Sequence, residues 1–322
     1  MRKLLLIMVL FAVFLIWDFN RFLSSPVSFT ANTLVVEQGM GFNDLRDDLI
    51  KNNQSLLATL YYPLYIKVTS PGLKFGPHSI ATNATVESLI ASLEQDPDDV
   101  KVRLPEGDRL EAFAKTLALA GLSNEKEILS CFKTCEAVAP SLFDDVSGYE
   151  GFLFPDTYVF SPASSPKQIV ELLLKNFRNK FEPLVGKYSG FLAQHKPRDI
   201  VIIASLLERE AVSLEDKRIV AGILYNRIDV GMRLDVDATV SYMKGDWRAP
   251  ITYEDLQRDS PYNTRKNLGL PPGPICNPGL VSLEAAMSPA PSSYLYYLTG
   301  NNGHMYYAKT LEEHNVNKEK FL

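Results

Sequence analysis

The run from Ile200 to Ala211, IVIIASLLEREA, constrains this chain more than any other stretch. At about 100° per residue, Ile203, Ala204, Leu207 and Ala211 fall within about 60° of Ile200, while Val201, Ile202 and Leu206 carry apolar surface around most of the remainder. A helix apolar on so much of its circumference is predicted to lie inside its domain. Two carboxylates, Glu208 and Glu210, interrupt it. Glu208 projects at about 80°, one and two turns beyond Ala204 and Val201, with Ser205 three residues before it, so small side chains leave room beside the carboxylate. Such a place could be the floor of a groove. Poor solvation there disfavours ionisation and is expected to raise the pKa from about 4.3 towards about 6–7, the range suited to a general acid near neutral pH. The alternative is that both glutamates pair with Arg209, Lys217 or Arg218 at the helix end. Periodicity does not choose between Glu208 and Glu210.

With 322 residues, 46% hydrophobic and 22% charged, the chain is globular with room for two or three domains. A net charge of −5 and the absence of a long basic stripe argue against a nucleic-acid partner. At the amino end, Arg2 and Lys3 precede the uninterrupted apolar run Leu4 to Trp17, followed by Asp18 and a second apolar patch at Phe22 and Leu23. Fourteen residues cover only about 21 Å of a hydrocarbon core about 30 Å thick, a length that suits a signal peptide. Yet no small-x-small cleavage site follows, and Trp17, Phe19 and Phe22 suit interfacial anchoring. The favoured reading is an uncleaved signal anchor over residues 1–25, its basic end cytoplasmic and everything after about Asn20 outside.

A strand–turn–helix pattern then recurs. After LVVEQ, Gly39 is followed by Phe42, Leu45 and Leu49; after VRLPE, Gly107 is followed at the same offsets by Leu110, Phe113 and Leu117; a weaker copy runs from Asn83 to Val86, Leu89 and Leu93. Each predicts a short strand, a turn tolerant of positive φ, and an amphipathic helix of about three turns. Paired βα units of this kind over residues 26–125 resemble the LysM module, a peptidoglycan-binding fold, with a ligand-free α/β scaffold as the alternative.

Cys131 and Cys135 in CFKTC are placed either for a local disulfide or on one helix, and Cys276 stands alone. His78, His195, His304 and His314 have no ligand spacing with one another or with the cysteines, so neither a metal nor a cofactor is expected. Nucleophile-elbow, phosphate-loop and dinucleotide signatures are missing from the sequence.

From Glu150 to Phe160, EGFLFPDTYVF, a proline-fixed turn carries Asp156, Thr157 and Tyr158 in an apolar surround, and Pro166 to Phe181 predicts an amphipathic helix. The last third is dense in polar and glycine positions. Asn226 and Arg227 end an apolar helix, Asp235 and Asp237 flank a turn, SPYNT supplies Tyr262, Asn263 and Thr264, and the run GLPPGPICNPG (269–279) is too short for a linker and reads as a rigid cleft wall. Aromatic faces, amides and hydroxyls are what sugars are held by, although aromatic residues in strands are more often core.

In this order and spacing, ASLLEREA, YNR, GM-x-L-x-x-D-x-T, SPYNT, GLPPGPI-x-NPG and GxH followed by HN resemble the MltG (YceG-like) family of endolytic murein transglycosylases. The resemblance extends back through EGFLFPDTY to the anchor. It implies a fold of class α+β, with a membrane anchor (1–25), LysM-like units (26–125), a connecting region (126–195) and a catalytic domain (196–322), a cleft separating the units from that domain. It also implies that the first glutamate of the ExE pair, Glu208, is catalytic. Asp156, Tyr158, Asn226, Asp235, Asp237, Tyr262, Asn263 and Thr264 are then expected to line the substrate groove. Three departures stand out: Asp235 replaces a glutamine, Ala238 a proline and Arg265 a tyrosine.

The reaction so implied breaks the β-1,4 bond between N-acetylmuramic acid and N-acetylglucosamine without water. One carboxyl protonates the leaving oxygen and then deprotonates the muramic acid C6 hydroxyl, closing a 1,6-anhydro ring, so a second carboxylate is not obligatory. The expected setting is a single-pass protein of the bacterial inner membrane, acting on its extracytoplasmic side on nascent glycan strands and terminating their elongation, with a peptidoglycan synthase as a candidate partner. A lysozyme-like hydrolase using Asp235 or Asp237, and a tethered peptidoglycan-binding module without catalysis, are the alternatives.

Overall fold

Gly39 and Gly107 turn the chain at φ of 91° and 78°, a backbone conformation that a residue with a Cβ adopts only under strain. All nine apolar positions that follow the three turns, from Phe42 to Leu117, are buried. The third turn is built differently: Asn83 has no positive φ, and the helix after it starts instead with a capping box in which Thr85 and Ser88 satisfy each other's backbone N–H groups.

The computed structural model describes residues 2–27, 33–36, 39–135 and 148–322; residues 136–147 of the expected connecting region lie outside the described residues. The chain is mixed α+β with an N-terminal apolar helix. By packing it divides into two compact units, Met1–Lys101 with Leu119–Leu122 and Val159–Ser164, and Val102–Ala118 with Ser123–Tyr158 and Ser165–Leu322.

The first unit contains α1 (Arg2–Ser24), β1 (Thr33–Val36), α2 (Arg46–Ile50), α3 (Ala58–Thr69), β2 (Gly76–Ser79) and α4 (Val86–Leu93). β1 and β2 pair antiparallel, Leu34 opposite His78, and cover a core of Val36, Phe42, Leu45, Leu49, Tyr62, Val86, Leu89 and Leu93. The helix α1 outruns the apolar stretch that predicts it. Its final turns belong to this core: Phe22 is fully buried, and Asp18 accepts hydrogen bonds from the Leu56 and Leu57 N–H groups and the Ser55 hydroxyl, fastening the loop that enters α3.

β3 (Val100–Arg103) pairs with β4 (Thr157–Phe160), and the chain passes between the two units within these strands. The second unit adds α5 (Leu110–Leu119), α6 (Glu125–Thr134), α7 (Pro166–Lys187), α8 (Ser189–Leu192), α9 (Pro197–Glu210), α10 (Leu214–Asp229), α11 (Asp237–Lys244), α12 (Tyr253–Gln257), α13 (Leu280–Met287), β5 (Tyr296–Thr299), β6 (Met305–Ala308) and α14 (Leu311–Phe321). The predicted central helix is α9. It starts with proline at its first turn, buries every residue from Ile200 to Leu207, and packs against α10, α11 and α13. The Gly107 copy of the repeat belongs to this second unit, because its turn hydrogen-bonds to the far end of the proline run: the Gly107 N–H donates to the Asn277 carbonyl at 2.9 Å. Of the two arrangements open to Cys131 and Cys135, both hold: α6 carries Cys131, Cys135 caps its end, and the two are joined in a disulfide.

Candidate active site

α9 ends where Ala211 turns extended, and Ser213 caps α10 immediately afterwards. This tight reversal brings Lys217, in the first turn of α10, back against Glu208: Nζ to Oε1 is 3.0 Å, with the two side chains only 5% and 9% exposed. The other carboxylate oxygen, Oε2, accepts from the Gly279 N–H at 2.9 Å and from the Ser282 hydroxyl at 2.7 Å, at the N-terminus of α13. Lys217 Nζ also donates to Ser282 Oγ at 2.7 Å, so ammonium, hydroxyl and carboxylate form a closed ring of hydrogen bonds. The ammonium, the hydroxyl and the Gly279 N–H at the start of α13 all converge on the Glu208 carboxylate. Of the cations near the helix end, Lys217 is the one that pairs with Glu208.

The wall beside Glu208 is the proline run. Ser205 is small enough for the run to cross α9, accepting a hydrogen bond from the Ile275 N–H at 3.0 Å, while Cys276 Sγ contacts its carbonyl. Asn277, fully buried, joins three segments. Its side-chain oxygen accepts from the Gly151 and Leu153 N–H groups, and its amide donates to the Asp108 carbonyl and to Glu150. Gly151 sits so close that a Cβ would lie 2.4 Å from Pro274. The EGFLFPDTY stretch is thus clamped to the wall by backbone proximity and one amide.

A second carboxylate shares this place. Glu106, one residue before the Gly107 turn, reaches Gly279, where an added Cβ would lie 2.0 Å from its Oε1; Gly107 itself lies against the Glu208 stem. Burial, and then the charge of Glu208, hold the Glu106 carboxyl above its ordinary pKa. The sequence signal was present, since Glu106 abuts a turn already singled out, but nothing local connects it with Glu208. Gly279→Ala is expected to push the Glu106 carboxylate aside without unfolding the protein, because Gly279 has ordinary backbone angles and the obstructing atoms end a flexible side chain. With Glu106 in the machinery, turnover falls about tenfold or more while the thermal midpoint moves little; unchanged turnover would remove Glu106 from it.

The expected groove residues divide. Asn263 and Thr264 are buried, with Asn263 donating to the Leu256 and Arg258 carbonyls and Thr264 bonded to the Val236 N–H and Thr239. Asn226 donates to the Ser292 and Tyr294 carbonyls, and the buried Tyr158 hydroxyl donates to the Phe154 carbonyl. These four shape loops, their polar atoms being engaged internally. The others reach the surface. Asp156 bonds Asn176, Asp235 lies 3.8 Å from Arg227 at a φ of 51°, and Asp237 is forked by Arg265, the same residue that departs from the resemblance. Glu210 turns away from Glu208, taking a 2.9 Å hydrogen bond from the Tyr297 hydroxyl and the Ala238 N–H, with its pKa raised by burial.

Tyr262 lines a small cavity with Glu150, Phe152, Arg198, Pro272 and Pro274. Part of Glu150 reaches this opening, yet its carboxyl is enclosed, and burial followed by the charge of Glu111 pushes its pKa from 4.5 up to about 8. A raised acid stabilises the fold below its unfolded pKa, and that contribution is lost as pH rises through the folded one. Wild-type stability is therefore expected to fall between pH 4.5 and about 8, and Glu150→Gln to flatten that slope, each pKa unit being worth about 1.4 kcal/mol. Denaturant unfolding across this range checks it; parallel curves would contradict it.

Among the described residues no cluster of histidine, cysteine and carboxylate side chains forms a metal site. A family model described as the YceG-like family matches residues 34–320. An endolytic murein transglycosylase of Bacillus subtilis (strain 168) is 32% identical, the alignment covering 85% of this chain and 80% of that protein. One from Streptococcus pneumoniae serotype 2 is 29% identical over 80% of this chain, which spans 52% of that longer relative. The crystal structure of a YceG-like protein from Listeria monocytogenes superposes with a TM-score of 0.60 at 29% identity, covering 88% of this chain and 98% of that one.

Proposed function

Because the chain belongs to the YceG-like family, we propose that it is an endolytic peptidoglycan lytic transglycosylase in which Glu208 is both acid and base. The observation that carries this reading is the position of Glu208. A carboxylate on a buried helix is ringed by Lys217, Ser282 and the Gly279 N–H beside a rigid wall. In the first half-reaction the Glu208 carboxyl gives its proton to the glycosidic oxygen as the C1–O bond breaks. The muramic acid C6 oxygen then bonds to C1, and its proton returns to Glu208, so no water is consumed. The three donors stabilise the carboxylate formed between these steps. Of the groove residues, Tyr262, Asp156, Asp235 and Asp237 remain within reach of solvent as candidates to hold sugar.

In the first unit, small βα elements closing on one antiparallel pair support a LysM-like, glycan-holding role. The exposed apolar stretch of α1 behind Arg2 and Lys3 supports a single-pass anchor in the cytoplasmic membrane, the rest of the chain being extracytoplasmic, where its substrate is made.

Glu106 is what a paired-carboxylate hydrolase would use instead. Mass analysis of peptidoglycan glycan strands digested by the purified protein decides. Anhydro ends support the transglycosylase, reducing ends the hydrolase, and no cleavage the tethered binding module.

A further inference from the structure

The uninterrupted apolar part of the 23-residue helix α1 is shorter than a bilayer core. Leu4 to Trp17 covers about 21 Å against a hydrocarbon core of about 30 Å, and beyond Trp17 the helix is taken into protein, with Asp18 and Phe22 fully buried. About 9 Å of apolar thickness must be met by another surface. α3 offers one. Leu60, Leu64 and Val68, with Leu56 just before the helix, are 62%, 57%, 74% and 73% exposed, whereas Tyr61 and Tyr62 on its other side are buried in the unit's core. Leu60, Leu64 and Val68 lie at steps of four residues on one helical face, Leu56 precedes them by the same step in the entering turn, and α3 contains no acidic residue and one lysine, Lys67.

Its direction fits. Asp18 holds the loop at Leu56 and Leu57, the Tyr61 hydroxyl donates to the Leu15 carbonyl at 3.2 Å, and the Tyr61 and Tyr65 rings both stand against Phe19 and Phe22. From Ala58 to Tyr65 the helix advances about 10 Å, yet its partners on α1 do not move outward with it. α3 therefore crosses α1 at the level where the apolar run ends, and Trp17, with Arg21 over its ring, marks that level as a membrane–water boundary.

We infer that α3 is an interfacial membrane helix, its Leu56, Leu60, Leu64 and Val68 face sunk into the leaflet from which α1 emerges. An interfacial helix buries its apolar face about 5–10 Å into the headgroup and acyl boundary, which closes the deficit. This rests on α1 being the membrane anchor. The first unit is then held against the bilayer by two attachments.

The full chain is reconstituted in vesicles of phosphatidylglycerol and phosphatidylethanolamine carrying nitroxide-labelled acyl chains, with a fluorophore on Leu64→Cys, Leu10→Cys or Asn83→Cys. Labelling is selective because Cys131 and Cys135 are joined and Cys276 is buried. Position 10 reports the anchor, and position 83, beside the Val27 to Ala84 hydrogen bond past the end of α1, serves as the reference. At least twofold quenching is expected at position 64 by nitroxides shallow in the acyl chain, with deep quenching at position 10 and little at position 83. Quenching at 10 but not at 64 overturns the inference while leaving the anchor intact. Absence at both overturns the anchor and the inference with it. Absence of quenching at position 64, together with disulfide-linked dimers of the unlabelled Leu64→Cys protein under air oxidation, would give the face to a second copy of this chain.

Discussion

Replacing Glu208 with glutamine is expected to lower formation of anhydro ends by about 10⁴-fold. General acid–base contributions are typically about 10²–10⁴-fold, and a single group that performs both proton transfers belongs at the upper end. Glutamine keeps the shape and can still accept from Lys217. Its amide nitrogen, however, would then face the Gly279 N–H, a donor against a donor where the carboxylate accepted. The variant should therefore fold and bind glycan while losing about 1–3 kcal/mol of stability for the unsatisfied group. Glu210→Gln is the control of similar burial. It disturbs the Tyr297 contact on another side of the helix, and activity should stay within about tenfold of wild type. A Glu208→Gln protein keeping more than about a tenth of the wild-type rate would exclude Glu208 as sole acid and base. Glu106 would then be the residue to test before Asp237, since Glu106 meets the same glycine as Glu208 whereas Asp237 is held by Arg265.

Lys217→Met is expected to destabilise the protein by about 3–5 kcal/mol, the cost of leaving a buried charge without its partner. Lys217 and Glu208 are both nearly inaccessible, and the ammonium also serves Ser282. Methionine fills much of the volume, so packing is a minor part of the loss. Adding Glu208→Gln should recover part of it, because the group left unpaired is then neutral. Urea unfolding of the two single variants and the double variant measures the coupling. Effects that add to within about 0.5 kcal/mol would show that the pair is not a unit.

Much of the framework was legible from local pattern. The apolar circumference of residues 200–207 predicted a buried helix, and three repeats of spacing predicted nine core positions, every one of which is buried. These readings succeed because helical periodicity is set by backbone geometry within a few turns. The two glycine turns were equally legible, since φ constraints act on single residues. The resemblance carried by the ordered motifs identified the family, and it implies a role for Glu208 that periodicity alone left open.

What only the tertiary structure decided is the company that Glu208 keeps. Lys217 was one of three cations within reach, and the α9–α10 reversal selects it. Gly279 and Ser282 arrive from the proline run, and Glu106 from a turn far earlier in the chain, brought in by Asn277. Residue type left two roles open at Asn226, Asn263 and Thr264. An amide or hydroxyl suits a sugar and a buried carbonyl equally well, and these satisfy backbone groups that would otherwise be orphaned. Sequence separation encodes no distance beyond a few turns. Which polar groups face a substrate is fixed by the packing of segments that the chain's order keeps apart.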